Sequence, residues 1–160
     1  TSSLCSIMSR TGARRDALPG LREMVALLQS TPTTQEEYVN RMETLFDVIG
    51  SKRYPVDRDR LREVAALGWQ RGVHPAGTAR QLHAINCQPD RTRALGAIRV
   101  PTLVIHGSAD RLVFPRGGRA TARAVPGARL RVYDGMAHDL PQQLWPQFVA
   151  EIDANANRSL

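Results

Sequence analysis

Val100-Pro101-Thr102-Leu103-Val104-Ile105-His106, followed at once by Gly107-Ser108-Ala109-Asp110, decides how this chain reads. The run carries no polar alternation, which is the pattern of a parallel strand buried on both faces. The Gly-Ser-Ala-Asp that ends it predicts a loop. Downstream, residues 116–125 predict a helix that stops at Pro126-Gly127. Arg129-Leu130-Arg131-Val132-Tyr133 then alternates polar and apolar, as a strand with one wet face does. Strand, helix and strand in this order make a βαβ unit. Asp134 to Asp139 predicts a second loop, and a last helix begins near Pro146 with Phe148, Val149 and Ile152 turned inward.

The two loops are where chemistry is expected. In open α/β sheets, sites gather beyond the carboxyl ends of the strands. The first loop carries Asp110 and the second carries His138. Adjacent parallel strands lie about 4.8 Å apart, so an acid after one and a histidine after its neighbour can meet. A carboxylate bonded to one imidazole nitrogen holds the tautomer and stabilises the imidazolium, leaving the other nitrogen to take a proton from a nucleophile. Taken singly, Asp110 reads as a turn-forming loop aspartate and His138 as an ordinary loop histidine. Taken together, after successive strands, they read as two thirds of a hydrolytic triad.

Upstream, Leu4-Cys5-Ser6-Ile7-Met8 predicts a short strand that ends in the turn Ser9-Arg10-Thr11-Gly12. Beyond Pro19-Gly20 the pattern is helical. Leu21, Met24, Val25 and Leu28 form one stripe. Thr34 and Glu37 have capping-box spacing before the stripe Tyr38, Met42, Leu45, Phe46 and Ile49, with Gly50 as a stop. Asp57 caps a third predicted helix with Leu61, Val64 and Ala65. Pro75 opens a fourth with Ala79, Leu82 and Ile85, and Asp90 caps a short turn through Leu95. These stripes, with Trp69 and Trp145, are read as packing surfaces.

Composition bounds the partners. The chain has 160 residues, 42% of them apolar, and a net charge of +7. That is one domain or part of a larger one. All but one of its basic residues are arginine, spread from Arg10 to Arg158, and only 5% of residues are aromatic. A nucleic-acid partner is not expected, because neither a basic patch nor stacking platforms stand out. No apolar run reaches the roughly 18 residues of a membrane helix. Cys5 and Cys87 have neither disulfide-framework nor zinc spacing, and the four histidines share no metal-ligand spacing. His106 reads as a packed, hydrogen-bonded histidine, His74 and His83 as surface or helix-end residues, and Gly117-Gly118 lacks the pattern of a phosphate loop. No basic-then-apolar opening marks a signal peptide, so a cytoplasmic location is expected, with an upstream signal left open.

The segment Val100 to Asp110 resembles the acid-bearing strand and loop of the α/β-hydrolase superfamily, and Gly135-Met136-Ala137-His138-Asp139 resembles its histidine loop. Val125-Pro126-Gly127-Ala128 before the last strand is a further match. The chain is similar in particular to the esterase/lipase branch that includes aclacinomycin methylesterase, through Pro75-Ala76-Gly77, Arg80-Gln81-Leu82 and Asp90-Arg91-Thr92. The resemblance implies an α/β fold: the C-terminal part of an α/β hydrolase, its last parallel strands with flanking helices, plus a helical cap. It places a core strand and turn at 1–12, the cap at 13–95, and the core bearing both loops at 96–160.

The implied activity is carboxylic ester hydrolysis of a small molecule by a Ser-Asp-His triad, with no cofactor or metal. In that superfamily the serine sits in a G-x-S-x-G elbow. No such motif occurs in these residues, so the nucleophile is expected upstream of this chain; Ser6, Ser9 and Ser108 lack the strand-to-helix setting. Ala137 stands where the superfamily often has Gly, and Arg111 where it often has Pro. Met136 is expected either to touch the acyl pocket or to fill a gap in the core. Two alternatives stay open: a fragment inactive alone, completed by the missing N-terminal half or self-associating at an open sheet edge, or epoxide-hydrolase, dehalogenase or perhydrolase chemistry on the same pair.

Overall fold

The computed structural model describes residues 2–13 and 19–158. Residues 1, 14–18 and 159–160, which fall inside the three segments expected above, lie outside the described residues. Three strands, β1 (Leu4–Ile7), β2 (Thr102–Gly107) and β3 (Arg129–Tyr133), form a parallel sheet in the order β1-β2-β3. The register pairs Cys5 with Leu103 and Ile7 with Ile105 on one side, and His106 with Val132 and Gly107 with Tyr133 on the other. The fold is α/β, as the βαβ reading predicts.

β2 is buried at every position. Its apolar run is the cause: with a neighbour on each side and helices over each face, no residue needs to face water. Leu103, Val104 and Ile105 have no exposed surface, and each contributes roughly 1.5–3 kcal/mol by leaving water. Alternation along the strand splits it into two faces. Leu103 and Ile105 pack with Met136, Leu144 and Phe148. His106, on the other face, lies under the helix that joins β2 to β3.

Among the described residues, seven α-helices accompany the sheet: α1 (Leu21–Leu27), α2 (Gln35–Ile49), α3 (Arg58–Gln70), α4 (Pro75–Cys87), α5 (Thr92–Leu95), α6 (Pro115–Ala124) and α7 (Trp145–Ala156). The first five lie between β1 and β2 in the chain, and α6 is the crossover from β2 to β3. Local signals set several ends. The Thr34 hydroxyl accepts from Glu37 N at 3.2 Å while the Glu37 carboxylate accepts from Thr34 N at 3.3 Å, a reciprocal capping box. Asp57 accepts from Arg60 N at 3.0 Å to start α3. Asp90 accepts from Thr92 N at 2.9 Å to start α5. Tyr38 and Trp69 pack at 6.0 Å between centroids where α2 meets α3.

Stripes on α1, α3, α4 and α7 face differently from the sequence expectation, and on α4 no residue is buried and Ile85 is exposed. On α1, Leu21, Val25 and Leu28 are 82%, 61% and 65% exposed, while Glu23 and Ala26 are the buried residues. Ala26 lets the helix sit close to its neighbour, and Glu23 turns toward Arg111, 3.8 Å away. On α7, Phe148 is inward as expected but Val149 is 67% exposed. The inward side continues instead through Asn155, whose amide donates to Leu4 O at 3.1 Å and Pro101 O at 3.2 Å. Pro101 O also accepts from Leu4 N at 2.9 Å, so the Asn155 amide adds a second donor where β1 and β2 begin to pair. Val64 of α3 also faces out.

Candidate active site

The loops after β2 and β3 are sewn together before any side chain is considered. Ser108 N donates to Tyr133 O and Ala109 N to Met136 O, each at 2.9 Å. Gly135 N donates to Ser108 Oγ at 2.8 Å, and that hydroxyl donates to Asp134. Gly107 makes the contact possible: a Cβ there would stand 2.1 Å from Met136 O. Any other residue at the end of β2 would push the histidine loop away.

This closure brings Asp110 and His138 together. Asp110 Oδ2 accepts from His138 Nδ1 at 2.8 Å. Asp110 is buried, and its other oxygen accepts from Leu112 N at 3.0 Å and Val113 N at 2.9 Å. The His138 side chain is a quarter exposed, so the ring bridges the buried acid and solvent. An imidazole that donates its Nδ1–H to a carboxylate has, in its neutral form, Nε2 as a proton acceptor.

Sequence reasoning missed a second partner of the acid. His106 Nε2 lies 2.7 Å from Val113 O, to which it donates, and 3.5 Å from Asp110 Oδ2. Its Nδ1 is buried without a hydrogen-bond partner among the described residues. The available signal was a polar ring at the end of a wholly buried strand. Burial of the Asp110 carboxyl would raise its pKa, but hydrogen bonds from His106 and His138, the charge of a protonated His138 and the Val113 N–H outweigh it. The carboxyl is pulled down to about 2 and stays ionised near neutrality.

Met136 is fully buried and packs with Leu103, Ile105, Leu144 and Phe148. Of the two expected roles, the structure places it in the core. A cleft of about 930 Å³ runs beside the pair instead, walled by Ala109, Arg111 and Ala137 from the two loops, Leu21 and Val25 from α1, and Ile49 and Gly50 at the end of α2. That cleft touches the chain neighbours of Asp110 and His138 rather than the pair itself, and a smaller groove is lined by Phe46, Tyr54, Leu61, Val64 and Trp145. Among the described residues, no three His, Cys, Asp or Glu side chains gather as a metal site. No helix there is long and apolar enough to cross a membrane.

A parallel sheet with an acid loop and a histidine loop on adjacent strand ends defines the class, the α/β hydrolases. Residues 52–143 match the family described as serine aminopeptidase, S33, and the chain belongs to that family of α/β hydrolases. It is 30% identical over 145 residues to the bifunctional esterase/perhydrolase of Acinetobacter calcoaceticus, covering 88% of this chain and 50% of that protein. It is 31% identical over 139 residues to the rhodomycin D methylesterase of a Streptomyces species, covering 83% and 45%. The chain thus spans about half the length of the curated relatives it matches. Among solved structures it resembles an esterase from Exiguobacterium antarcticum, with a TM-score of 0.70 at 17% identity, covering 98% of this chain and 57% of that one.

Proposed function

We propose that these residues supply the acid and the base of a carboxylic ester hydrolase. The observation that carries the reading is the 2.8 Å contact of His138 Nδ1 with the buried Asp110 carboxylate. A serine in a G-x-S-x-G elbow, outside these 160 residues, attacks the ester carbonyl. His138 Nε2 takes the serine proton and then delivers it to the leaving alcohol. Asp110 keeps the ring in the right tautomer and stabilises its cation. Water, deprotonated by the same His138, releases the acid and restores the serine. The helices between β1 and β2 act as a cap over the cleft, and the substrate is a small-molecule ester.

The esterase and methylesterase relatives support ester chemistry. The Acinetobacter relative's name gives perhydrolysis as a second reading, in which hydrogen peroxide replaces water on the acyl-enzyme. The test is hydrolysis of a nitrophenyl ester by the natural polypeptide that carries these residues. His138→Ala should lower the rate by about 10²–10⁴-fold; an unchanged rate overturns the proposal. Ester hydrolysis by the isolated 160 residues, abolished by His138→Ala, would overturn the placement of the serine outside them.

A further inference from the structure

We propose that Ser51, in the turn between α2 and α3, is a positioning residue for His138. Its catalytic meaning rests on the ester-hydrolase reading above. Three consecutive residues of the histidine loop are bonded to this one turn. Ala137 N donates to Ser51 Oγ at 2.8 Å. His138 N donates to Ile49 O at 3.0 Å. Asp139 Oδ1 accepts from Ser51 N at 3.1 Å and also from the Ser51 hydroxyl.

Ser51 is only 5% exposed, so these bonds are made away from water, where an unsatisfied donor or acceptor costs about 1–3 kcal/mol. The hydroxyl is used in both directions, receiving from the backbone before His138 and giving to the side chain after it. Only a hydroxyl at this length does both well; a methyl does neither and a thiol does both weakly. Asp110 holds the ring of His138 by its Nδ1, but one hydrogen bond leaves the ring free to tilt about it. The turn 49–51 fixes the backbone from which the ring springs. Base geometry must hold to within about 0.5 Å for proton transfer, and the two supports reach it from different parts of the chain, 28 and 86 residues away.

The experiment is NMR of the imidazole nitrogens of His138, which report its tautomer and hydrogen bonding without any turnover. Ser51→Ala should move the His138 nitrogen shifts away from the Nδ1-protonated form, toward a mixture of tautomers. Ser51→Thr, which keeps the hydroxyl, should restore them. Asp139→Ala leaves the Ala137 bond in place and should give a smaller change in the same direction. Folding of each variant is read from the dispersion of its amide spectrum. Wild-type nitrogen shifts in a folded Ser51→Ala overturn the proposal, and if that variant does not fold, wild-type shifts in Asp139→Ala overturn it. A protein that hydrolyses no ester, yet whose imidazole moves in Ser51→Ala, sinks the hydrolase reading and leaves the positioning role standing. Active protein with an unmoved imidazole does the reverse.

Discussion

His106 and Asp110 form a buried contact, Nε2 to Oδ2 at 3.5 Å, on the same carboxylate oxygen that receives His138 at 2.8 Å. The acid therefore has a buried histidine behind it and a solvent-facing one in front. Two backbone N–H groups take its other oxygen. No lone pair facing the protein is left to seek a proton, which is why the carboxyl remains charged although it is buried.

Acid should loosen the fold through this residue. A carboxyl whose pKa is lower in the folded chain than in the unfolded one stabilises the fold at every pH above the unfolded value. That stabilisation is lost as pH falls through the folded value. For Asp110 the window runs from about 3.8 down to about 2 and is worth about 2 kcal/mol. Denaturant titrations across this range should show the stability gap between wild type and Asp110→Asn closing as pH falls. A gap that stays constant from pH 6 to pH 2 counts against the assignment.

The packing of α6 on β2 should tolerate no side chain at Gly118. A Cβ there would stand 2.4 Å from His106 Nδ1 and 2.9 Å from its Cγ, and the ring is fully buried. Gly118→Ala should cost about 1–3 kcal/mol, although alanine is the better helix former by about 1 kcal/mol. Urea denaturation gives the sign, and a stabilised variant refutes the prediction.

Asn155 should matter more than a surface asparagine near a helix end. Asn155→Leu keeps the branching at Cγ but leaves Leu4 O and Pro101 O without the amide. The expected loss is about 1–3 kcal/mol, and amide exchange at the start of β1 should quicken before that of β3. Equal exchange at both strands argues against the link.

At the start of α2, Thr34→Ala removes the acceptor of Glu37 N. About 1 kcal/mol should be lost, measurable as a small drop in Tm without change in any property of His138.

The strands and loops of the site were legible because a doubly covered strand leaves a plain mark, the unbroken run from Leu103 to Ile105. Asp110 and His138 drew notice because they stand in the loops that follow two adjacent parallel strands, the buried β2 and the half-exposed β3. The facing of α1 and α7 was not legible. Helical periodicity finds a stripe, but the side that acquires a partner depends on distant groups, here Arg111 for Glu23 and two strand-start carbonyls for Asn155. Ser51 left no local trace at all: its hydroxyl meets Ala137 across 86 residues of sequence. His106 was read as packed, and it is packed, but its share of Asp110 appears only when the loop folds back over the strand end.

The turn Ile49–Ser51 faces two ways, one side on the cleft and the other bonded to the histidine loop. The α1 part of the lining is different in kind, since Leu21 and Val25 hang exposed from that helix. Mutational drift can therefore reshape the two parts at unequal rates. On the ester-hydrolase reading proposed above, exchanges at Leu21 and Val25 should alter what the cleft admits and little else, whereas exchanges at the end of α2 should disturb the orientation of His138 at the same stroke. Among descendants of this sequence, new preferences should accumulate on α1 while the turn stays nearly fixed.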